Sequence, residues 1–456
     1  MSTITVINPA TGQADAHWDY STDAQIADAL DRAGSAYREW RTWSLAERTQ
    51  VLRNFAALVE ERREEIAEVI SREMGKRFAD AKGELQYAID IPRYYADNAE
   101  EFLADEARES NTGGRAVVRK FSTGVILGVM PWNYPYYQVV RFAIPNLAAG
   151  NTVIVKHASQ NPESAELIEK LFREAGLPDG AYINLRPSHA QVETIIADPR
   201  VQGVSVTGSE AAGSAIAATA GKHLKKVLLE LGGSDPYLVL DTDDMAAVAF
   251  HCAKARISNS GQSCNGGKRF IVLDALYDDF VEQFTEQLTT FTPGDPFAED
   301  AGFGPLSSAA AVQELAAQVA DATDKGATLR QGETSEGHGA FFPASVLTDV
   351  TPEMRAYSEE LFGPVAVVYR ASDIAHAVDL ANESRFGLGA AVFHRDLAVA
   401  EEVANRLEVG MVWVNEREGG GPMLPFGGVK ASGFGRELGP DGIGEFINRK
   451  LIHLPA

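Results

Sequence analysis

The N-terminal part of the chain carries apolar side chains at helical spacing. This pattern covers three stretches: Asp23–Trp40, Leu45–Met74 and Lys76–Phe102. In the second stretch, Leu52, Phe55 and Val59 recur every three or four positions among glutamates and arginines, as in a helix with one buried face. We therefore predict a helical N-terminal third, with the charged run 60–65 on its solvated side.

After residue 115 the pattern changes to short apolar runs that read as strands. The first series is Arg115–Phe121, Gly124–Met130, Thr152–Lys156, Tyr182–Leu185 and Val201–Thr207. The second series is Tyr237–Leu240, Arg269–Leu273, Val365–Tyr369, Ala390–Phe393 and Gly410–Val414. Short buried strands that alternate with helices are typical of parallel sheets. We predict two α/β lobes that meet near residues 231–235, and a strand-like tail, Glu445–Leu454.

Helix-like segments separate these strands. They are Pro162–Ala175, Gln191–Ala197, Met245–Ser258, Tyr277–Phe291, Ala309–Thr323 and Leu397–Leu407. A chain of 456 residues is too long for one typical core, which agrees with more than one domain.

Composition excludes several classes of protein. The chain has 64 acidic and 41 basic residues, a net charge of −23, which argues against nucleic acid and against anionic membrane surfaces as partners. Two cysteines cannot build a disulfide framework and suit the cytosol. We see no signal peptide, no membrane-spanning run and no metal-binding spacing of His or Cys. We expect a cytoplasmic enzyme without a metal.

The run Gly261-Gln262-Ser263-Cys264 supplies a candidate nucleophile, and Glu230 supplies a candidate base. A thiol with an ordinary pKa of about 8.5 becomes nucleophilic where its surroundings favour the thiolate. A glutamate between apolar Leu229 and Leu231 should be partly desolvated, so that its pKa rises toward a useful range. The alternatives are a core cysteine and a glutamate in a structural ion pair.

A glycine turn after the predicted strand Val201–Thr207 indicates a phosphate site. Gly208 to Gly213 leads into an alanine-rich helix, Ser214–Gly221, and free N–H groups at a helix start attract anions. The spacing differs from GxGxxG, so a simple tight turn is the alternative. Lys156 ends another predicted strand, at the sheet edge where ligands bind, unless it is a surface lysine.

Several motifs occur together in order. They are Pro131-Trp132-Asn133, Val155-Lys156-His157-Ala158-Ser159, Thr207-Gly208-Ser209, Leu229-Glu230-Leu231-Gly232-Gly233, Gly261-Gln262-Ser263-Cys264, Glu359-Glu360-Leu361-Phe362-Gly363-Pro364 and Pro425-Phe426-Gly427-Gly428. From Asn8 to its end, the chain resembles the aldehyde dehydrogenase superfamily. Within it, the segments 156–158, 229–236 and 426–438 are most similar to bacterial succinate-semialdehyde dehydrogenases.

The resemblance implies a catalytic sequence. Cys264 would attack the aldehyde carbonyl, and the Asn133 amide with the Cys264 N–H would stabilise the oxyanion of the thiohemiacetal. Hydride would pass to a nicotinamide, leaving a thioester on Cys264. Glu230 would then activate the water that hydrolyses this thioester.

The same resemblance implies the cofactor site. Its residues would be Trp132, Lys156, Ser159, Thr207, Gly208, Ser209, Leu231, Glu360 and Phe362. NAD-preferring relatives often have a glutamate where this chain has Ser159, and a carboxylate there would repel a 2′-phosphate. We therefore predict that NADP is used at least as well as NAD.

A small-molecule aldehyde that carries a carboxylate needs local cations, because the net charge of −23 repels it at long range. Arg141 matches the arginine that succinate-semialdehyde dehydrogenases use for this group, and Arg256 is the expected second arm. The loop Glu416–Met423 departs from the expected pattern and brings in Arg417 and Glu418.

Gly266 and the second cysteine, Cys252, bear on the redox chemistry of the chain. Gly266 stands where some relatives have a second cysteine beside the nucleophile, so we expect no redox disulfide there. Cys252 lies in a predicted helix and reads as a core thiol.

The resemblance implies an α/β fold with three parts. These are a Rossmann-like cofactor domain (1–107, 122–231 and 429–444), an α/β catalytic domain (232–428) and a small β flap (108–121 and 445–456). A flap with exposed strand edges is a liability unless another subunit covers it. We therefore expect a homodimer or homotetramer.

Three alternatives to this function stay open. A broad-specificity aliphatic or aromatic aldehyde dehydrogenase would use Tyr134, Tyr136, Tyr137 and Phe142 as an aromatic pocket. In a CoA-acylating enzyme, a thiol replaces water as the acceptor of the acyl group. Glu230 would then not be needed as a base for water. A non-catalytic cofactor-binding protein is disfavoured by Cys264, Glu230 and Asn133 occurring together.

Overall fold

A computed structural model describes residues 3–335, 339–416 and 419–455. Arg417 and Glu418, noted above as departures, lie outside these residues. The helices are α1 Asp23–Trp40, α2 Leu45–Glu61, α3 Arg63–Met74, α4 Phe78–Phe102, α5 Tyr137–Ala149, α6 Pro162–Glu174, α7 His189–Ala197, α8 Glu210–Lys222, α9 Met245–Ile257, α10 Asp274–Thr289, α11 Ala309–Asp324, α12 Arg355–Ser358, α13 Ile374–Asn382, α14 Leu397–Arg406 and α15 Gly439–Gly444.

The strands alternate with these helices along most of the chain. They are β1 Thr3–Ile7, β2 Ala14–Asp19, β3 Glu106–Arg108, β4 Arg115–Ser122, β5 Val125–Val129, β6 Thr152–Lys156, β7 Tyr182–Leu185, β8 Val201–Thr207, β9 Lys226–Glu230, β10 Asp235–Val239, β11 Gly267–Leu273, β12 Thr328–Gln331, β13 Ser345–Thr348, β14 Val365–Ala371, β15 Phe386–Gly387, β16 Gly389–Phe393, β17 Met411–Val414, β18 Val429–Lys430, β19 Gly433–Phe434 and β20 Ile447–Leu454. This α/β organisation confirms the predicted fold class.

The first large sheet has the strand order β19-β9-β8-β5-β6-β7. Strands β9, β8, β5, β6 and β7 are parallel to one another, and β19 runs antiparallel at the edge. Thr207 pairs with Glu230, and Val129 pairs with Lys156. The carboxyl ends of these strands therefore meet at one edge, where ligands of such sheets bind.

The second large sheet has the order β12-β13-β14-β11-β10-β16-β17. Its strands are parallel except for the antiparallel pair β12 and β13. Strand β11 begins at Gly267, three residues after Cys264, so the candidate nucleophile is attached directly to the core of this sheet.

A third, antiparallel sheet joins β20, β4 and β3. Its register runs from Ile447 opposite Ser122 to Leu454 opposite Arg115. Leu451 and Leu454 are exposed on it, at 63% and 51%. The sheet therefore presents apolar side chains and open strand edges to the outside.

Apolar side chains from the N-terminal helices form the first core, as their periodicity predicts. Trp40, Phe55 and Leu85 are fully buried there together with residues of α5, and Phe55 stacks on Phe172 with ring centroids 4.0 Å apart. Full burial of one such side chain stabilises the fold by about 1.5–3 kcal/mol. This core fixes α5, which carries part of the candidate site.

Among the N-terminal helices, two boundaries differ from the sequence prediction. The stretch Leu45–Met74 is two helices that meet at Arg62, where no glycine or proline marks the break. The helix expected from Lys76 begins at Phe78, because the backbone of Arg77 is not helical, with φ −54° and ψ 138°. In the part of the chain that the structure describes, no helix is long and apolar enough to cross a membrane.

Candidate active site

A cavity of about 540 Å³ lies between the first core and the second large sheet. Its walls are largely aromatic and aliphatic, and include Tyr137, Trp413, Leu424 and Phe426. Cys264 also lines it, beside the charged side chains of Arg141, Lys76 and Glu84. A mostly apolar cavity with a few polar groups is the usual form of a small-molecule site.

The loop that presents Cys264 is held in a strained conformation. Asn259 and Ser260 have positive φ angles of 52° and 57°. A side chain on Gly261 would place its Cβ 2.3 Å from the Gly363 carbonyl, so only glycine fits. The Asn259 side-chain Nδ2 donates to the Asn133 carbonyl oxygen at 2.9 Å. These contacts fix the direction from which Cys264 enters the cavity.

The Cys264 sulfur is half-buried, and four charged groups act on it. Burial raises the pKa of the Cys264 thiol to about 11, although the cations of Arg141 and Lys268 favour the thiolate. The carboxylates of Glu360 and Glu230 disfavour it. At neutral pH the sulfur is therefore a thiol, and a base must take its proton before it attacks.

Glu230, the candidate base, ends β9 and is not among the described residues that line the cavity. It is 1% exposed, and both carboxyl oxygens are without a hydrogen-bond partner among the described residues. Burial raises its pKa well above the ordinary value, Arg141 opposes this shift, and Glu437 adds to it. A Cβ on Gly427 would lie 2.6 Å from Glu230 Oε1, so this glycine gives the carboxyl its space.

Asn133 is buried against the nucleophile loop. Its Nδ2 donates to the Gln262 carbonyl oxygen at 2.9 Å, and its Oδ1 accepts from Gln138 Nε2 at 3.1 Å. These two bonds fix the orientation of the amide. The second N–H of the amide remains available as a donor.

Arg141, on α5, is buried and lines the same cavity. Its guanidinium forms an ion pair with Glu437 and lies over the rings of Phe426 at 4.1 Å and Tyr137 at 5.0 Å. Burial acts to lower the pKa of Arg141, but Glu437, Tyr137, Glu230 and Cys264 together outweigh burial and raise it. The buried Nη2 has no hydrogen-bond partner in the described parts of the chain and almost no accessible surface, so an anion would meet the part of the guanidinium that lines the cavity.

Arg256 does not reach the cavity, contrary to the expectation that it is the second arm for a substrate. It is fully buried, and its Nη1 and Nη2 donate to the carbonyl oxygens of Gly267 at 2.9 Å and Gly261 at 2.5 Å. It is not among the described residues that line the cavity. The helix α9 directs it inward, where it supports the nucleophile loop.

The edge of the first sheet where β8 ends has features that suit a phosphate-containing ligand. Ser209 caps α8, with its Oγ accepting from Ala212 N–H at 3.3 Å. A Cβ on Gly208 would meet no heavy atom within 4 Å. Thr207 Oγ1 is buried and lacks a hydrogen-bond partner among the described residues. This edge therefore has a helix N-terminus, open space and an unsatisfied hydroxyl.

The other residues predicted for the cofactor make contacts near the ends of β8 and β9. Trp132 and Phe362 face each other edge-on, with ring centroids 5.7 Å apart. Leu231 packs against Gly213, where a Cβ would lie 2.5 Å from Leu231 Cδ2. Glu360 Oε1 accepts from the Gly233 N–H at 3.1 Å. The structure thus collects these side chains between the two large sheets.

A small cleft beyond β6 and β7 brings Lys156 and Ser159 together with Arg186. Burial lowers the pKa of Lys156, and Ser159 is exposed. Arg186 stacks on Trp18 at 5.1 Å and donates to Glu166 Oε1 at 2.9 Å. The cleft therefore carries two cations.

Sequence reasoning missed Arg186, Glu437 and Lys268. Arg186 directly follows β7, beside the end of β6, and this position was the signal that could have found it. Lys268 stands four residues after Cys264, and Glu437 lies within the segment 426–438, but nothing in their spacing indicates a contact with the Cys264 loop or with Arg141.

Comparison with known proteins agrees with this geometry. A sequence model described as the aldehyde dehydrogenase family matches residues 1–452. Succinate-semialdehyde dehydrogenase [NADP(+)] of Deinococcus radiodurans is 50% identical over 447 residues, which are 98% of this chain and 94% of that protein. The Mycobacterium avium protein of the same name is 42% identical over 453 residues, covering 98% and 96%.

A solved structure is similar over the whole chain. It is the succinic semialdehyde dehydrogenase from Streptococcus pyogenes in complex with NADP+ as the cofactor, with a TM-score of 0.97 and 42% identity. The alignment covers 99% of this chain and 100% of that one.

Proposed function

Since the chain belongs to the aldehyde dehydrogenase family, we propose that it oxidises succinate semialdehyde to succinate with NADP+ as the preferred hydride acceptor. The chain is an NAD(P)-dependent aldehyde dehydrogenase. The observation that carries the substrate proposal is the Arg141 guanidinium in the wall of the cavity that also contains Cys264. Relatives at 42–50% identity named for this substrate and cofactor support it.

The first chemical step uses Cys264, Glu230 and Asn133. Glu230 takes the thiol proton, and the sulfur bonds to the aldehyde carbon. The carbonyl oxygen gains negative charge, which the free Asn133 N–H and the Cys264 backbone N–H stabilise. Removing one such donor typically costs about 10²–10³ in rate.

The second step releases the acid. A nicotinamide held at this site would supply the acceptor for the hydride of the former aldehyde carbon, and Cys264 would then carry the acyl group as a thioester. Glu230 first passes the thiol proton to solvent and then takes a proton from the water that attacks this thioester. The carbon–sulfur bond breaks, the sulfur regains the proton held by Glu230, and the acid leaves.

The fit of NADP is supported by residues of this chain. Ser209, Gly208 and the buried Thr207 hydroxyl would hold the pyrophosphate region, while Trp132, Leu231, Glu360 and Phe362 would surround the nicotinamide end. Lys156, Ser159 and Arg186 would hold the adenosine ribose with its 2′-phosphate. The cleft contains two cations, and position 159 is a serine where a glutamate would repel a phosphate. Both features favour the cofactor that carries the 2′-phosphate.

Arg141 gives the substrate its orientation. The Glu437 ion pair and the rings of Tyr137 and Phe426 hold the guanidinium in place, so little side-chain entropy is lost when a carboxylate binds. The carboxylate would bind the part of the Arg141 guanidinium that lines the cavity, which leaves the aldehyde end of the substrate directed to Cys264.

A second candidate is a broad-specificity aldehyde dehydrogenase. It is favoured by the apolar walls of Tyr134, Trp413 and Leu424 and by a cavity of about 540 Å³, which is large for a four-carbon aldehyde. Aromatic aldehydes would then be substrates of similar quality.

One kinetic experiment separates the two candidates. We would measure kcat/KM for succinate semialdehyde, butanal and benzaldehyde with both NADP+ and NAD+. We expect succinate semialdehyde with NADP+ to exceed butanal by at least about 30-fold, from the roughly 2 kcal/mol of a charged hydrogen bond. Equal values for butanal or benzaldehyde would establish the broad-specificity enzyme instead.

We also propose that the protein forms a homodimer or homotetramer and works in the cytoplasm. The open edges of the sheet β20-β4-β3 and its exposed Leu451 and Leu454 support association. Cys252 and Cys264 are both free thiols, which suits a reducing compartment. Sedimentation of the purified chain at the monomer mass would contradict the first statement.

A further inference from the structure

A buried ammonium lies beneath the nucleophile loop. Lys268, the second residue of β11, is 1% exposed. Its Nζ donates to the carbonyl oxygens of Ser263 at 2.7 Å and Cys264 at 2.8 Å, and Gly266 O is 3.4 Å away. The ammonium therefore holds the backbone carbonyl groups of Cys264 and of the residue before it.

The counter-charge of this ammonium comes from a distant part of the chain. Glu360 Oε1 lies 3.2 Å from Lys268 Nζ and also accepts from the Gly233 N–H at 3.1 Å. The Glu360 side chain is 19% exposed, against 1% for Lys268. Water therefore screens the carboxylate more than it screens the ammonium.

Cys264 feels charges from four directions. Arg141 reaches it from α5, Lys268 from β11, Glu230 from β9, and Glu360 from the segment after α12. The two cations favour the thiolate, and the two carboxylates oppose it. Arg141 is already paired with Glu437. Lys268 is therefore the cation whose positive charge is partly neutralised by Glu360.

We propose that Lys268 is a positioning residue for the nucleophile, which holds the Cys264 loop through two carbonyl oxygens and favours ionisation of the sulfur. Glu360 sets how much of the Lys268 charge acts on Cys264. The inference rests on the proposed role of Cys264 as nucleophile, but its test needs neither aldehyde nor cofactor.

The test is the rate at which iodoacetamide alkylates Cys264 between pH 7 and pH 9, in the protein without ligands. Iodoacetamide is neutral, so the charges do not steer it, and Cys264→Ser gives the background from Cys252. In Lys268→Met we expect the pKa of the Cys264 thiol to rise. Alkylation should then be about threefold slower for each pH unit of that rise. Such a rise lowers the thiolate population tenfold, and the greater nucleophilicity of the remaining thiolate offsets about a factor of three.

Glu360→Gln supplies the opposing variant. It removes the negative charge that lies beside Lys268 and acts on the sulfur. Alkylation of Cys264 should therefore become about two- to threefold faster. Lys268→Arg keeps the cation and should stay within about twofold of the unchanged protein. General damage to the loop would shift both neutralising variants in the same direction.

The outcomes are decisive in each case. A folded Lys268→Met protein that is alkylated at the original rate would overturn the proposal, as would equal shifts in Lys268→Met and Glu360→Gln. If Lys268→Met does not fold, Glu360→Gln decides alone, and an unchanged or slower rate overturns the proposal. Absence of aldehyde oxidation would refute the proposed function without changing any of these rates.

Discussion

The cleft around Ser159 and the pocket around Cys264 are both candidate anion sites, but they are built differently. In the cleft, Arg186 is 29% exposed and its partner Glu166 is 47% exposed. In the pocket, Arg141 and Glu437 are 1% and 4% exposed. Water screens charges in the first region and is excluded from the second. Substitutions should therefore act mildly and locally in the cleft, and strongly and jointly in the pocket.

The strongest test of the buried pocket is Cys264→Ser. We expect kcat for NADPH formation to fall by at least about 10⁴-fold, because a serine hydroxyl is far less ionised than a thiol and loss of a nucleophile usually has effects of this size. NADP+ binding, followed by quenching of tryptophan fluorescence, should be unchanged. Oxidation at the original rate would refute covalent catalysis by Cys264.

Glu230→Gln should give the next largest effect, a fall in kcat of about 10²–10⁴-fold. The raised pKa of Glu230 keeps it protonated at low pH, so the activity of the unchanged enzyme should rise as pH increases through that pKa. The variant should lose this rise. A pH profile of kcat shows both effects, and a profile that falls with increasing pH would contradict the assignment.

Arg141→Met tests whether the pocket recognises a carboxylate. We expect kcat/KM for succinate semialdehyde to fall by about 30- to 150-fold, equivalent to about 2–3 kcal/mol for a charged hydrogen bond. The value for butanal should change by less than about threefold. Arg256→Met is a useful contrast. Arg256 supports the Cys264 loop and does not contact the cavity, so its loss should lower kcat/KM for both aldehydes by the same factor.

The exposed cleft should show the smallest effects. Arg186→Leu should lower kcat/KM for NADP+ by about twofold to fivefold and leave NAD+ unchanged, since exposed charge pairs contribute at most about 1 kcal/mol. Added salt should reduce the difference. Glu166→Gln is the matched control and should not weaken NADP+. An equal loss with both cofactors would show that Arg186 only supports the fold.

Much of the fold followed from pattern. Thr152–Lys156, Tyr182–Leu185 and Val201–Thr207 were predicted with the bounds that β6, β7 and β8 have, because buried parallel strands are short apolar runs between turns. Helix α5 was not predicted as an element. Nearly every residue from Gln138 to Ala149 is buried, so no polar face gives the segment a helical period.

Within the candidate site, the sequence indicated which residue types would meet but not how they would pair. Arg141 and Arg256 each stand eight positions from a quoted motif residue, Asn133 and Cys264, yet one lines the cavity and the other binds backbone carbonyls. Spacing cannot distinguish these cases, because the direction of each side chain depends on what its helix packs against.

The sequence by itself determined the alternation of strands and helices, the family and the chemical groups that the family needs. These follow from local periodicity and from motifs, and both are properties of neighbouring residues. Only the tertiary structure decided that Glu437 pairs with Arg141 and that Lys268 joins Cys264 to Glu360. Such contacts form between segments far apart in the chain, and burial rather than sequence distance determines how strongly their charges act on one another.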